Sequence, residues 1–184
     1  MLAAAAPDVG QPAFPPVYYN GATQDADLNG GKFFDDKTGA SYPAIQCKGE
    51  ITIPNISTFN SNGLDGILVY KVTSQGVVAW TTSLQLSTAP GNPFAYVGGP
   101  GALDTDGNFW ITGAFYGSAL QIPGLAPLVG VTSEVGLRTA FVAKFDAATG
   151  SAILAFTVFC SDPTNFRASM CVIWLYFTLN GFCS

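Results

Sequence analysis

The sequence predicts an all-β fold built from antiparallel hairpins, and three observations support this prediction. A pattern of an apolar strand with a lysine near its end, a turn closed by glycine and a second strand occurs at 66–81 and again at 141–157. A fainter copy runs from residue 32 to residue 42. The turn Asp106-Gly107-Asn108 precedes aromatic and β-branched residues, which is typical of a hairpin. No amphipathic helical pattern longer than two turns interrupts these segments.

The pattern divides the chain into an N-terminal arm at 1–20 and one all-β domain at 21–184. Blade-like repeats are expected at about 32–48, 50–87 and 103–160, followed by an apolar strand at 170–179. Four prolines exclude a helix and a central strand from the arm, so we expect it to be extended. A free tail does not benefit from exposing the apolar and aromatic residues at its end, and these are candidate assembly residues: Phe14, Val17, Tyr18 and Tyr19.

Three stretches are expected to connect the strands. They are a polar loop through Asn55, Asn60 and Asn62, a loop around Pro90–Pro100 rich in proline and glycine, and an insertion at 117–138 of similar composition. Proline and glycine are the strongest local breakers of regular structure, and asparagine favours turns. We therefore expect the first two stretches to be loops and the third to be an insertion within the last repeat.

Composition excludes several classes of function. Of the 184 residues, 48% are hydrophobic and 10% are charged, and the net charge is −5. The seven basic residues are scattered, so no cluster is available to bind nucleic acid or a membrane surface. No apolar run approaches the ~20 residues of a membrane helix, so we expect no membrane insertion. A chain with so little charge is expected to cover part of its surface with copies of itself.

Catalytic motifs are also missing from the sequence. The chain has no histidine, so a Ser–His or Cys–His pair is not available. It has no G-x-S-x-G elbow and no G-x-x-x-x-G-K phosphate loop. The sequence therefore predicts a protein that is not an enzyme.

Two consecutive segments carry a resemblance to a known repeat. Residues 104–113 read D-T-D-G-N-F-W-I-T-G and residues 139–146 read T-A-F-V-A-K-F-D, followed by a glycine and an apolar strand. This succession resembles the SBBP β-propeller-type repeat of secreted bacterial proteins, closely over 103–158 and less closely over 50–85. The resemblance implies an extracellular or cell-surface location and says nothing about chemistry.

The number of repeats is too small for a closed β-propeller. A closed propeller needs about four to eight blades, whereas this chain carries two or three units. Open strand edges are avoided in natural proteins. We therefore expect the repeats to close into a barrel or sandwich, completed by a strand from a neighbouring subunit, with the N-terminal arm as the candidate donor strand.

An acidic segment is a candidate calcium site. Residues 25–36 fit the spacing D-x-D-x-N-G-x5-D and resemble the dockerin variant of the EF-hand loop. The ligands would be Asp25, Asp27, Asn29 and Asp36 through their side chains and Gly31 through its carbonyl. The alternative is an Asx-rich hairpin turn that needs no ion. The shorter acidic turn at 104–108 is expected to be structural, because Gly107 accounts for it.

Two kinds of covalent modification are suggested by the sequence. An even number of cysteines in a β protein with few charges favours two disulfides in an oxidising compartment, with buried free thiols as the alternative. The candidates are Cys47, Cys160, Cys171 and Cys183, and their three possible pairings stay open. They lack C-x-x-C spacing, so a zinc site is not expected. Asn55-Ile56-Ser57 matches the acceptor pattern for N-linked glycosylation.

Two functions compete on these grounds. The first is a structural subunit of an extracellular filament or surface polymer, assembled head to tail by exchange of the N-terminal strand with copies of itself. The alternative is a secreted adhesion module of propeller-repeat type that binds glycans or proteins. Sugars would stack on aromatic side chains such as Tyr116, whereas Trp80 and Trp110 are expected to pack in the core or an interface.

Overall fold

The computed structural model describes residues 18–19, 36–53, 57–87, 94–98, 101–130 and 138–158. These residues form antiparallel sheets without helices, which confirms the all-β prediction. The described residues therefore contain no helix that is long and apolar enough to cross a membrane. The strands are β1 (Tyr18–Tyr19), β2 (Ala44–Ile53), β3 (Ser57–Val72), β4 (Val78–Leu86), β5 (Phe94–Val97), β6 (Ala102–Leu103), β7 (Asn108–Tyr116), β8 (Ala119–Gln121), β9 (Leu128–Val129), β10 (Thr139–Asp146) and β11 (Ala152–Val158).

The strands make two sheets, one of which is curled into a half-barrel. The six-stranded sheet has the order β1-β2-β3-β4-β8-β9, and the five-stranded sheet has the order β11-β10-β7-β5, with β6 also paired to β7. Each sheet contains a four-stranded antiparallel meander in chain order. We call β1-β2-β3-β4 the first unit and β5-β7-β10-β11 the second unit.

Glycine closes the turns of the three hairpins that the sequence predicts, and these hairpins are confirmed as β3–β4, β6–β7 and β10–β11. The turn of the fainter copy forms as well, although Ser41 then pairs with Val72 of β3, and residues 32–35 lie outside the described residues. In each turn the glycine N–H donates to the carbonyl oxygen of the first turn residue: Gly39 to Asp36 at 3.1 Å, Gly76 to Thr73 at 2.9 Å, Gly107 to Asp104 at 3.0 Å and Gly150 to Asp146 at 2.7 Å. The four φ angles lie between +74° and +79°, a region that glycine adopts without steric cost.

The structure corrects the two expected loops and shows what the insertion contains. The polar loop expected through Asn60 and Asn62 is wrong, because both belong to β3, where Asn60 pairs with Glu50. Strand β5 lies within the expected loop around Pro90–Pro100 and pairs with β7. The expected insertion contains β8 and β9, and β8 pairs with β4 of the first unit. In each case pairing with another strand overrides the local turn propensity.

The main core lies between the two sheets. Large side chains from the second unit, such as Phe109, Phe141 and Phe145, are fully buried against Ile67 and Leu84 of the first unit. Burial of each such side chain contributes about 1.5–3 kcal/mol. A second buried cluster lies on the opposite face of the six-stranded sheet and contains Ile45, Cys47, Ile51, Phe59, Leu68, Tyr70, Val72 and Val78.

A single carbonyl links the two sheets. The oxygen of Ala147, in the β10–β11 turn, accepts hydrogen bonds from Lys71 Nζ and from Trp80 Nε1, each at 3.0 Å. The Trp80 ring also lies against Gly150, where a Cβ atom would come within 2.6 Å of the indole. The β10–β11 turn of the second unit is therefore held against the first unit by hydrogen bonds, in addition to the core between the sheets.

This packing predicts different costs for two glycine substitutions. Gly150→Ala adds a Cβ into the Trp80 ring and also strains the backbone, so we expect a loss of about 3 kcal/mol or more in the free energy of unfolding. Gly107→Ala is the matched control, because Gly107 has a similar φ of +77° and nothing within 4 Å of its would-be Cβ. It should lose only about 1–2 kcal/mol. Urea denaturation measures both, and equal losses would contradict the role of Trp80.

Candidate functional site

Two clusters of the same design lie at the start of corresponding strands. The first cluster consists of Asp36, Tyr42 and Lys71, and the second cluster consists of Asp104, Trp110 and Lys144. In both, a glycine follows the aspartate by three positions and the aromatic residue follows it by six. The lysine comes from the neighbouring strand: Lys144 pairs with Trp110, and the Ser41–Val72 bridge sets Lys71 beside Tyr42.

The second cluster is built around the carboxylate of Asp104, which is 8% exposed. Its Oδ1 accepts hydrogen bonds from the backbone N–H groups of Asp106 at 3.0 Å and Asn108 at 2.8 Å. Its Oδ2 accepts from Trp110 Nε1 at 2.9 Å and forms an ion pair with Lys144 Nζ, also at 2.9 Å. Lys144 Nζ in turn lies 5.0 Å from the centroid of the Trp110 ring.

These contacts change the acidity of Asp104. Burial by itself raises the pKa of the carboxyl group, because it penalises the charged form. The hydrogen bonds from Lys144, Asn108 and Trp110 act in the opposite direction and outweigh burial, so the pKa lies well below its ordinary value. Asp104 is therefore a charged residue of the folded protein.

The first cluster has a hydroxyl where the second has an indole. Asp36 Oδ1 accepts from the backbone N–H groups of Thr38 at 2.8 Å and Ala40 at 3.0 Å, and Tyr42 OH donates to Oδ2 at 3.2 Å. Lys71 Nζ lies 5.3 Å from the centroid of the Tyr42 ring. Burial by itself raises the pKa of Asp36. The hydrogen bonds from Thr38, Ala40 and Tyr42 outweigh burial, so the pKa of Asp36 lies below its ordinary value.

The chemistry of the two clusters is structural. Each carboxylate accepts several hydrogen bonds that hold its turn, so it is already used as an anchor for the backbone. Of the residues predicted to bind calcium, Asp36 lies in the first cluster, and Asp25, Asp27, Asn29 and Gly31 lie outside the described residues. Across the described part of the chain, no group of three or more His, Cys, Asp or Glu residues is arranged to hold a metal ion. Calcium binding at 25–36 stays a prediction.

Cys47 is a buried free thiol, so the disulfide expected at this residue is not formed in the structure. Burial, followed by the nearby charge of Asp65, raises the pKa of Cys47 to about 12, which makes the thiol unreactive. Its Sγ donates to the carbonyl oxygen of Gly66 at 3.6 Å. The other predicted disulfide and modification residues lie outside the described residues: Cys160, Cys171, Cys183 and Asn55.

The predicted assembly residues fall partly on a described strand. Tyr18 and Tyr19 form β1, which pairs antiparallel with β2 of the same chain in the register Tyr18–Thr52 and Tyr19–Ile51. Phe14 and Val17 lie outside the described residues. The arm therefore supplies an outer strand to the six-stranded sheet.

An aromatic cluster lies on the second unit, on the face of the sheet that also carries Trp110. Phe94 stacks on Tyr96 and on Tyr116, with centroid distances of 6.1 and 5.9 Å. The exposed Arg138 stands over the rings of Phe94 at 5.1 Å and Tyr96 at 5.7 Å, and its Nη1 donates to Tyr96 OH at 3.4 Å. The three rings are half-buried, in contrast to Trp80, which is 7% exposed and packs in the core as predicted.

The sequence interpretation missed the equivalence of the two clusters, although its signal is present in the chain. The spacing D-x-x-G-x-x-aromatic occurs at 36–42 and again at 104–110. The first copy was interpreted as the end of a calcium loop, and this interpretation hid the repeat. The aromatic cluster was also missed, except for Tyr116, because β5 was expected to be a loop.

The second cluster predicts a dependence of stability on pH. The folded pKa of Asp104 lies below its unfolded value, so its stabilising contribution is present above about pH 4 and is lost as the pH falls below that value. Asp104→Asn should lower the free energy of unfolding by about 2–3 kcal/mol at pH 7 and by less at pH 3. Asp106→Asn, in the same turn but exposed, is the control and should cost less than about 0.5 kcal/mol. Urea titrations at both pH values test this, and an equal loss at pH 7 and pH 3 would contradict it.

The chain was compared with known proteins as a whole. No family model, no curated protein and no solved structure matches it.

Proposed function

We propose that the chain is a non-catalytic structural subunit that polymerises head to tail outside the cell, with the N-terminal strand of one copy occupying the sheet edge of the next. The observation that carries this proposal is the pairing of β1 with β2. A strand of two residues, contributed by the arm, forms the outer edge of a six-stranded sheet.

The physical argument is that the same edge accepts the same strand from either source. A second copy presents an identical β1, so exchange between copies keeps the register Tyr18–Thr52 and Tyr19–Ile51 without any new contact. Main-chain hydrogen bonds supply the affinity in such strand addition. A contact of this kind is heterologous, and it generates a filament when the rotation between copies does not close a ring.

Two further features support a structural role. Charged residues make up 10% of the chain, so repulsion between packed copies is small. The polar clusters around Asp36 and Asp104 are used to hold turns, and the lysines of both clusters are engaged in contacts. The extracellular location rests on the resemblance to the secreted SBBP-type repeat.

Cysteine cross-linking distinguishes exchange from pairing within one chain. Two single variants, Tyr18→Cys and Thr52→Cys, are unfolded together, refolded as a mixture and oxidised. Strand exchange predicts a disulfide between the two different chains, identified by mass spectrometry of the linked peptides, because these Cα atoms are direct partners.

The control for this experiment replaces Thr52→Cys with Gln46→Cys, which lies on the same strand but pairs with Ile67 of β3. It should give no link to Tyr18→Cys. A link that forms only within the double variant Tyr18→Cys/Thr52→Cys, and never in the mixture, would rule out strand exchange. Regular filaments of the wild-type protein in negative-stain electron microscopy are the second expected result.

A second candidate function, an adhesion module that binds carbohydrate, is favoured by the aromatic cluster at Phe94, Tyr96 and Tyr116. Aromatic rings stack on the apolar faces of sugars, and a neighbouring guanidinium supplies hydrogen-bond donors for hydroxyl groups. Arg138 occupies that position.

A glycan array followed by calorimetry tests this candidate. For a glycan that binds, Tyr96→Ala should weaken the affinity about tenfold or more, because a stacking surface and a hydroxyl are lost together. Val129→Ala is the control, since Val129 is 69% exposed on the other sheet. Equal affinity of the two variants, or no binding on the array, would count against carbohydrate recognition.

A further inference from the structure

The aromatic cluster carries a positive charge that no carboxylate of the described residues neutralises. Arg138 directly precedes β10 and is exposed. Its guanidinium stands over the rings of Phe94 and Tyr96, and among the described residues its side chain donates one hydrogen bond, from Nη1 to the hydroxyl of Tyr96 at 3.4 Å. A guanidinium group is charged at any pH at which the protein is folded. A full positive charge therefore lies on the aromatic cluster.

Lys144 is a second cation on this face of the sheet, and it is used differently. Its Nζ also lies over an aromatic ring, that of Trp110, but it is paired with Asp104 Oδ2 at 2.9 Å. An anionic ligand would find no net charge at this pair. The two groups thus share a ring below the cation and differ in the counter-ion, so Arg138 is the cation that can receive an anion.

The described acidic side chains of the second unit lie at the opposite end of its sheet. Asp104 and Asp106 belong to the turn before β7, and Asp146 ends β10. Asp146 comes eight positions after Arg138, so extended strand separates the two by about 26 Å. This separation exceeds the Debye length of about 8 Å at physiological ionic strength. These carboxylates therefore do not repel an anion bound at Arg138.

We propose that the aromatic cluster and Arg138 bind the carboxylate-bearing sugars of an acidic polysaccharide, with a uronic acid ring stacked on the aromatic side chains and its carboxylate paired with Arg138. This inference rests on the carbohydrate-binding candidate described above and adds the class of sugar.

The two parts of the site match the two parts of a uronic acid. The C–H face of a sugar ring is apolar and stacks on aromatic rings, and the planar fork of a guanidinium accepts a carboxylate in a bidentate pair. Because the carboxylate is attached directly to the sugar ring, both contacts need the cation beside the rings. The guanidinium lies 5.1 and 5.7 Å from the ring centroids of Phe94 and Tyr96. Its bond to the Tyr96 hydroxyl is longer than most N–H···O bonds, so a carboxylate can replace it at little cost.

Calorimetry with matched ligands tests the proposal. Oligomers of galacturonate, glucuronate and mannuronate are each compared with their methyl esters, which keep the sugar ring and lose the charge. At least one acid should bind, and its ester should bind about tenfold or more weakly, because hydrogen bonds to charged groups are stronger than neutral ones. The affinity for the acid should also fall as the salt concentration rises.

Three variants assign this preference to one residue. Arg138→Gln should lose most of the preference for the acid over its ester, because the amide keeps a donor and loses the charge. Arg138→Lys should keep part of it, since the charge is retained without the planar fork. Lys37→Gln is the matched control: Lys37 is exposed in the turn of the first unit, so the same net charge is lost elsewhere, and the affinity should stay within about twofold. Circular dichroism verifies that all three variants fold.

The possible outcomes separate this inference from the carbohydrate-binding candidate. If Tyr96→Ala weakens the binding of neutral sugars and the esters bind as tightly as the acids, the candidate stands and the inference is wrong. If neither acids nor neutral sugars bind, both are wrong. Equal losses in Arg138→Gln and Lys37→Gln would show a response to net charge alone and would also overturn the inference.

Discussion

Besides the shared core, the two sheets are held together through the carbonyl oxygen of Ala147. This buried acceptor takes one hydrogen bond from a cation, Lys71, and a second from the indole of Trp80, both from the first unit. A carbonyl that loses such donors in a buried position is left with a desolvation penalty of about 1–3 kcal/mol, so the two donors and the turn hold each other in place. The Trp80 ring needs the space that Gly150 leaves open, and this glycine also closes the β10–β11 turn. One residue therefore serves both the local turn and the packing between units.

The two aspartate clusters show how one design is adapted to two environments. In the second cluster a full ion pair between Asp104 and Lys144 is combined with the indole of Trp110, and no sheet of the described residues covers that face. In the first cluster the equivalent lysine, Lys71, is directed to the carbonyl of the next unit, and Tyr42 is 1% exposed within the core. Lys71 thus binds the carbonyl oxygen of Ala147, whereas Lys144 binds the aspartate of its own cluster. The Asp–Gly turn is the same in both clusters. The repeat is conserved within the chain in its turn geometry and varies in its contacts.

Structural features that depend on neighbouring residues could be predicted from the sequence, whereas features that depend on contacts between separate strands could not. The hairpins at β3–β4, β6–β7 and β10–β11 were predicted because a glycine at positive φ and an Asp or Thr at the start of the turn act within five or six residues. β5 and β8 were not predicted, since their residues favour turns and become strands through partners far away in the chain. The first half of β3 was not predicted either, because its asparagines favour turns, although its partner β2 directly precedes it. The spacing from Asp36 to Tyr42 is local and can be found in the sequence. The lysine of the first cluster, Lys71, is 29 positions beyond Tyr42, and its place beside Tyr42 becomes evident only from the pairing of Ser41 with Val72. Asp36 itself was assigned to an ion because its spacing from Asp25, Asp27 and Asn29 fits a calcium loop. Its hydrogen bonds with Thr38, Ala40 and Tyr42 become evident only in the folded turn.

The order of the strands shows how the two units cover each other. The strand pair β8–β9 that extends the edge of β4 comes from the insertion between β7 and β10, so the second unit supplies the cover for the first. The β10–β11 turn of the second unit likewise receives Trp80 of the first unit. Among the described residues β11 pairs only with β10, and Leu154, the side chain equivalent to Trp80, is 44% exposed. The two equivalent strands therefore differ in what neighbouring elements bring to them: β8 pairs with the end of β4, and the carbonyl of Ala147 holds the indole of Trp80.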